Sequence, residues 1–102
     1  MDIIINSSKK KPYTLHRYHG HDVRFWFVAP HKPNNLNIGD KVYFAIDNFI
    51  VYYHFFQGFA QEPRCELTGR ILPGLNFILT VPRVDIEPIP IESFYGFKYK
   101  ED

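Results

Sequence analysis

The chain has 102 residues, 45% of them hydrophobic and 18% aromatic, with 12 Lys and Arg against 11 Asp and Glu. This length and composition exclude intrinsic disorder and leave room for one domain, residues 1–102. Cys65 is the only cysteine, which excludes an intrachain disulfide, and no run is long enough to span a membrane. We therefore expect a cytoplasmic protein with no membrane partner.

The first third of the chain predicts two strands joined by polar connections. Residues 2–6 are a short apolar run, and residues 23–29 (VRFWFVA) combine aromatic with β-branched residues. Residues 13–19 fit either a strand or one helical turn, and residues 31–37 fit a loop or a short helical turn. Seven Lys and Arg against three acids lie within residues 1–41, which favours either a phosphate-binding face or simply a solvated one.

The centre of the chain predicts a β-hairpin. Two apolar runs, residues 41–46 and 49–56, are separated only by Asp47 and Asn48, which tolerate the positive φ of a tight primed turn. We expect Ile46 to pair with Phe49, Phe44 with Val51, and Val42 with Tyr53, so that these six residues form a core face. The opposite face then carries Lys41, Tyr43, Ala45, Ile50, Tyr52 and His54.

The last third predicts a long connection followed by three strands. Residues 61–73 are polar and punctuated, residues 75–81 (LNFILTV) form a strand, and Pro82 interrupts pairing. Residues 84–91 suit a proline-protected edge strand, and residues 94–99 a short last strand.

These elements predict a mostly-β fold. We expect a small mixed or antiparallel β-barrel of six to seven short strands with at most one or two short helices, because no window shows a sustained helical period. Residues 49–56 are expected to form a central strand, since so apolar a run would aggregate at an open edge.

Four segments carry a resemblance to a known family. They are FWFVAP at residues 25–30, IGDKVYFAID at 38–47, FIVYY at 49–53 and PIPIESFYGFKY at 88–99. In this order they resemble the PUA-like barrels of the ASCH and EVE type, in which a Gly-Asp opens a strand and a Gly-Phe-Arg/Lys-Tyr motif closes the domain. The resemblance implies association with nucleic acid, often recognition of RNA or of a modified base or nucleoside in a cleft.

The same resemblance implies an enzymatic alternative. Some ASCH domains resemble amidohydrolases of acylated pyrimidine nucleosides, with a Gly-x-Lys-x-x-Thr-x-Arg motif and a later Glu. Here Lys11 and Thr14 match the motif, Lys9 and His16 replace its Gly and Arg, and Glu66 is a candidate third member. We favour a protein that is not an enzyme and, if it is one, a hydrolase that uses these three residues.

One histidine cluster resembles a metal site. It consists of His16, His19 and His21. Zinc needs three or four converging ligands, whereas a strand or a helix brings only two of these residues to one face. We therefore expect no metal and no cofactor.

An aromatic and basic constellation favours nucleic-acid binding. Rings offer stacking surfaces for bases, and cations attract the backbone. The predicted binding residues are Arg17, Arg24, Trp26, Lys32, Lys41, Tyr43 and Tyr52. RNA is the favoured ligand; the remaining alternative is an accessory or inhibitory protein that binds another protein or dimerises through an edge strand.

Overall fold

The computed structural model describes residues 1–7, 16–18, 21–27, 32–64, 69–80, 83–94 and 97–100, with the backbone alone for residues 7, 16–18 and 21–27. These residues confirm the mostly-β prediction. The strands are β1 (Ile3–Ser7), β2 (His16–Tyr18), β3 (His21–Phe27), β4 (Lys41–Ile46), β5 (Phe49–Gln61), β6 (Leu75–Leu79), β7 (Val84–Pro90) and β8 (Phe97–Tyr99). No helix of a length and apolarity that would cross a membrane occurs in the part of the chain that the structure describes.

The eight strands form one mixed sheet. Their order is β2-β3-β6-β5-β4-β1-β8, and β7 pairs additionally with β5. β1 runs parallel to β4, whereas the other described pairs are antiparallel. Within the described residues the sheet does not close into a barrel, because its terminal strands, β2 and β8, do not pair with each other.

β5 is the central strand, as predicted. β4 lies along one side of it, and β6 and β7 pair with its two halves. The backbone N–H of Phe56 donates to Asp40 on the β4 side, whereas the carbonyl of Phe55 accepts from Thr80. β6 and β7 therefore follow one another along the same side of β5, with β6 ending at Leu79 and β7 beginning at Val84.

The turn of the central hairpin is the primed type that the sequence predicts. Asp47 and Asn48 have φ values of 51° and 67°, both in the left-handed region. A two-residue loop with two positive φ values matches the twist of the flanking strands. The carbonyl of Asn48 also accepts the backbone N–H of Ile91, which ties the turn to the chain that leaves β7.

A β-bulge changes the predicted pairing beyond the first two residue pairs. Ala45 pairs with Ile50, but Phe44 pairs with Tyr52, so that Val51 is the extra residue on β5. An extra residue shifts the alternation of every side chain that follows it. The predicted pairing of Phe44 with Val51 is therefore wrong.

The bulge exchanges the faces of the residues that follow. Val42 pairs with His54, and Tyr43 with Tyr53, in place of the predicted pair of Val42 with Tyr53. Tyr52 and His54 are consequently buried with Phe44, whereas the sequence predicts them on the opposite face. Tyr53, predicted to be a core residue, is half-buried on the other side.

Each face of the sheet carries its own apolar cluster. We call the face with the larger cluster the inner face; its buried residues are Ile3, Ile5, Leu36, Val42, Phe44, Tyr52, Phe56, Phe77 and Leu79. The outer face carries a smaller cluster of Ile4, Tyr43, Ala45 and Ile50. Ile86, Ile91 and Phe94, from β7 and the chain that follows it, pack against the outer cluster. We call residues 86–94 the crossing segment, because it begins in β7 beside β5 and ends next to β1, where the carbonyl of Phe94 accepts from Asn6 Nδ2.

Candidate nucleic-acid interface

The part of the outer face that extends beyond its apolar cluster is formed by three strands. Residues paired on neighbouring strands share a face of the sheet. Ile4 pairs with both Tyr43 and Lys98, so these two residues lie on one face. Phe55 pairs with Lys41, which lies two residues from Tyr43 along β4, and is therefore on the same face. The hairpin and the C-terminal strand, which are far apart in sequence, thus contribute to one surface.

Three aromatic rings form a row on this surface. The ring centroids of Tyr43 and Tyr53 are 5.3 Å apart, and those of Tyr53 and Phe55 are 5.4 Å apart at an interplanar angle of 85°. Exposure rises along the row: Tyr43 is buried, Tyr53 half-buried and Phe55 exposed. The edge-to-face arrangement leaves Phe55 and part of Tyr53 accessible to a flat ligand.

Three lysines lie over rings of the outer face. The Nζ atom of Lys41 is 4.9 Å from the centroid of Tyr53, and that of Lys100 is 5.2 Å from the centroid of Tyr43. Lys98 lies over Phe94 at 5.4 Å. These distances fit cation–π attraction, which contributes roughly 0.5–1 kcal/mol at exposed sites. Each lysine is thereby held close to a ring instead of extending freely into solvent.

The start of β4, which positions Lys41, is fixed by acidic side chains. The backbone N–H of Lys41 donates to Asp2 Oδ1 at 2.8 Å. Asp40 Oδ2 accepts from the Met1 amino group at 2.6 Å and from the backbone N–H of Asn37 at 2.8 Å. These two hydrogen bonds, the amino-group bond foremost, lower the pKa of Asp40. Gly39 precedes Asp40 with a φ of 95°, which a residue with a Cβ rarely adopts.

Of the predicted binding residues, Lys41 and Tyr43 lie together on the outer face. Tyr52 does not: only 2% of it is exposed, and it packs in the inner cluster, where Arg83 lies 4.4 Å from its ring centroid. The prediction that Tyr52 shares a face with Lys41 and Tyr43 is wrong, because the bulge turns it inward. Lys32 lies over Phe59, which packs against the inner cluster, and is therefore remote from the outer face.

The remaining predicted binding residues lie in β2 and β3, where the backbone alone is described. Arg17 pairs with Asp22, Arg24 with Leu79, and Trp26 with Phe77. These strands stand on the opposite side of β5 from β4 and β8. Their part in binding remains a prediction.

The side chains of all the catalytic and metal candidates lie outside the described part of the structure. Lys11, Thr14, Glu66 and His19 lie outside the described residues, and His16 and His21 are described by their backbone alone. His16 pairs with Val23, and His21 with Tyr18. Among the residues whose side chains are described, no group of three His, Cys, Asp or Glu could hold a metal ion.

Sequence reasoning missed four residues of this surface, namely Tyr53, Phe55, Lys98 and Lys100. The alternation of Phe97, Lys98, Tyr99 and Lys100 indicates that the two lysines share a face. The pairing of β8 with β1, which brings them beside Tyr43, joins residues more than 90 positions apart and leaves no local signal.

A second surface feature is an open apolar groove at the tip of the hairpin. It has a volume of about 590 Å³ and is lined by Ile46, Asp47, Phe49, Val51 and Pro88. Phe49 is 44% exposed there, which is unusual for so large an apolar side chain.

Comparison of the chain with protein-family models, with curated proteins and with solved structures finds no match in any of the three.

Proposed function

We propose that this protein binds single-stranded nucleic acid, with RNA as the favoured ligand, on its outer face and without catalysis. The observation that carries the proposal is the placement of Lys41, Lys98 and Lys100 over the rings of one sheet surface. Cations beside stacking surfaces are the combination that single-strand binders use.

The two kinds of side chain have separate tasks. A base stacks on Phe55 or on the accessible part of Tyr53, which contributes roughly 1–3 kcal/mol per base. An ammonium group that lies over a ring in the unbound protein moves onto a phosphate, and one attraction replaces the other. The sequence resemblance to PUA-like barrels supports RNA or a modified base as the ligand.

Single strands fit this surface better than duplex does. The bases of a duplex are stacked on one another, so their faces are not accessible to Tyr53 and Phe55. In addition, the crossing segment packs against part of the outer cluster, which limits access for a rigid, wide ligand.

The test is a titration of the protein with fluorescent RNA and DNA oligomers of equal sequence at two or more salt concentrations. We expect binding at low salt that weakens as salt rises, with a log–log slope of about −0.7 for each phosphate contacted on a single strand. The absence of binding at low salt, or binding indifferent to salt, would contradict the proposal.

Matched variants test whether the side chains of the outer face bind the nucleic acid. Lys41→Gln should flatten the slope by about 0.7, the contribution of one phosphate. Phe55→Ser should weaken binding about 5- to 150-fold at every salt concentration, because it removes one stacking contact of roughly 1–3 kcal/mol. Lys32→Gln removes a lysine that lies over Phe59, remote from this face, and serves as the control.

The groove at the tip of the hairpin favours a second candidate function, self-association. Phe49 protrudes beside the concave wall formed by Ile46, Val51 and Pro88, so a two-fold axis could seat each Phe49 in the groove of a second copy. Sedimentation equilibrium across a wide concentration range tests this. A dimer abolished by Phe49→Ser, and unaffected by Ile38→Ser at an exposed site outside the groove, would support it; a monomer throughout would exclude it.

A further inference from the structure

A cavity opens on the outer face beside the row of aromatic rings. It has a volume of about 550 Å³ and is lined by residues 98–100 and by four isoleucines, Ile4, Ile50, Ile89 and Ile91. Ile4 and Ile50 belong to the buried outer cluster, whereas Ile89 and Ile91 lie in the crossing segment. The backbone N–H of Ile91 donates to the carbonyl of Asn48, which fixes this wall to the hairpin turn. Cavities of roughly 300–1,000 Å³ hold small organic ligands in other proteins.

The cavity and the proposed nucleic-acid face share the same lysines. Lys98 lines the cavity and lies over Phe94. Lys100 also lines it, with its Nζ atom 5.2 Å from the ring centroid of Tyr43. Tyr43 in turn begins the row of rings that ends at the exposed Phe55. The cavity is therefore continuous with the proposed nucleic-acid face and is not a separate site.

The pairing register gives the length of this surface. Tyr53 lies opposite Tyr43, and Tyr43 lies opposite Ile4. Ile4 also lies opposite Lys98, so one line across four strands runs from Tyr53 to Lys98. Three strand spacings of about 4.8 Å make this line roughly 14 Å long. A stacked strand rises about 3.4 Å per nucleotide, so at most about five nucleotides fit along the line.

We infer that this cavity is the subsite for one unstacked base at the end of a short bound strand, an inference that rests on the proposed nucleic-acid binding. The strand lies across β5, β4, β1 and β8, with one base on Phe55 or Tyr53 and a phosphate at Lys98. A base is joined to its phosphate through a single sugar, so the nucleotide held at Lys98 has its base beside the cavity that Lys98 lines. Single strands can place a base in this way because their bases splay out, whereas those of a duplex stay stacked.

The isoleucine side chains determine what the subsite recognises. They contact the faces of a ring but neither donate nor accept hydrogen bonds, so they do not read the edges of the base. The polar edge of the base therefore faces the open side of the cavity, where water satisfies it. Because apolar stabilisation grows with the area removed from water, a purine binds here more tightly than a pyrimidine.

The experiment is a titration of the whole protein with a fluorescent adenosine pentamer and with variants of it that each lack the base at one position. The base at one end occupies the cavity, and the base at the other end stacks on Phe55 or Tyr53. Loss of either end base should weaken binding severalfold, whereas loss of the middle base should have a smaller effect. Uridine at the cavity end should bind with intermediate affinity. Pentamers that bind equally well whichever base is missing would overturn the cavity assignment.

Protein variants show which end lies in the cavity. Ile89→Asn should weaken binding of the intact pentamer severalfold and make it insensitive to the loss of one end base. Phe55→Ser should instead lessen the effect of losing the opposite end base. Ile89 is 44% exposed, so Ile89→Asn should fold, and Ile38→Asn, at an exposed site outside the cavity, should bind as the unmodified protein does. An Ile89→Asn protein that remains sensitive to both end bases would overturn the assignment.

The length of the bound strand is tested with a series of oligoadenosines. The dependence of affinity on salt should steepen up to about five nucleotides and then remain constant, because further phosphates lie beyond the surface. Steepening that continues in longer oligomers would overturn the short strand. If no oligomer binds at low salt, the nucleic-acid proposal itself fails, whereas binding without an effect of the end bases overturns the cavity assignment alone.

Discussion

The Nδ1 atom of His54 lies 2.6 Å from the carbonyl oxygen of Thr80, within the core where β6 gives way to β7. The backbone N–H of Thr80 donates to the carbonyl of Phe55, and its hydroxyl accepts the backbone N–H of Phe55 at 3.0 Å. β6 ends at Leu79 and β7 begins at Val84, so three bonds to one threonine hold β5 across the gap in its partner. His54 is buried between the rings of Phe44 and Tyr52.

We expect His54→Leu to destabilise the protein by about 2–4 kcal/mol. The half-buried carbonyl of Thr80 loses its donor, which costs up to about 1–3 kcal/mol, and the two edge-to-face contacts with neighbouring rings add to this. His54→Asn, which keeps an N–H donor at a similar distance from the backbone, should lose less. Urea unfolding followed by tryptophan fluorescence measures both variants, and a His54→Leu protein as stable as the parent would show that the bond to Thr80 contributes little.

The bulge at Val51 makes a second prediction, because it decides which of two adjacent tyrosines belongs to the core. Tyr52 is buried against Phe44, with ring centroids 5.4 Å apart, whereas Tyr53 is half-buried on the outer face. Tyr52→Ala should cost about 3–5 kcal/mol, the usual loss for a buried aromatic residue, and Tyr53→Ala about 1 kcal/mol. The opposite ranking in urea unfolding would mean that the hairpin pairs in solution without the extra residue.

The turn and the two strands of the hairpin could be predicted from the sequence, whereas the β-bulge at Val51 could not. The turn follows from Asp47 and Asn48, since few other residues accept two positive φ values in succession. The bulge does not, because Val51 is as suited to a regular strand as its neighbours are. The register shifts around Val51 lie in the pairings of β5 with both β4 and β7, which join segments that the local sequence does not relate. One unforeseen residue therefore reverses the faces of Tyr52 and Tyr53.

The candidate binding site on the outer face could likewise be predicted only in part from the sequence. Lys41 and Tyr43 could be placed on one face from their alternation along β4. Lys98 and Lys100 could not be placed beside them, because β1 must first pair in parallel with β4 and then with β8. Pairings between distant segments leave no periodic signal in the chain, so half of this surface is visible only in the folded structure.

The turn residue Asn48 has two roles that mutation can separate. Its φ of 67° suits asparagine, and its Oδ1 accepts the hydroxyl hydrogen of Ser93 at 2.6 Å. Asn48→Ala loses both and should cost about 1–3 kcal/mol, whereas Ser93→Ala loses only the exposed hydrogen bond and should cost about 0.5–1 kcal/mol. Asn48→Gly restores the backbone freedom and should fall close to Ser93→Ala. Equal costs for Asn48→Ala and Asn48→Gly in chemical denaturation would show that backbone strain is not involved.

Asp40 should make the stability of the protein depend on pH in the acid range. The Met1 amino group and the Asn37 backbone N–H favour the carboxylate and hold its pKa below the usual value, whereas partial burial opposes them. The unfolded chain, with an aspartate pKa of about 3.9, then binds more protons than the folded one. The contribution of Asp40 is therefore complete above about pH 5, and it is lost as the pH falls through the lowered folded pKa.

Asp40→Asn should reduce stability at pH 6 by about 0.2–1 kcal/mol, typical of an ion pair near the surface, and should flatten the fall in stability below pH 4. Glu87→Gln, which removes an exposed carboxylate on β7, is the control; an acid profile identical for Asp40→Asn and the parent would contradict the assignment.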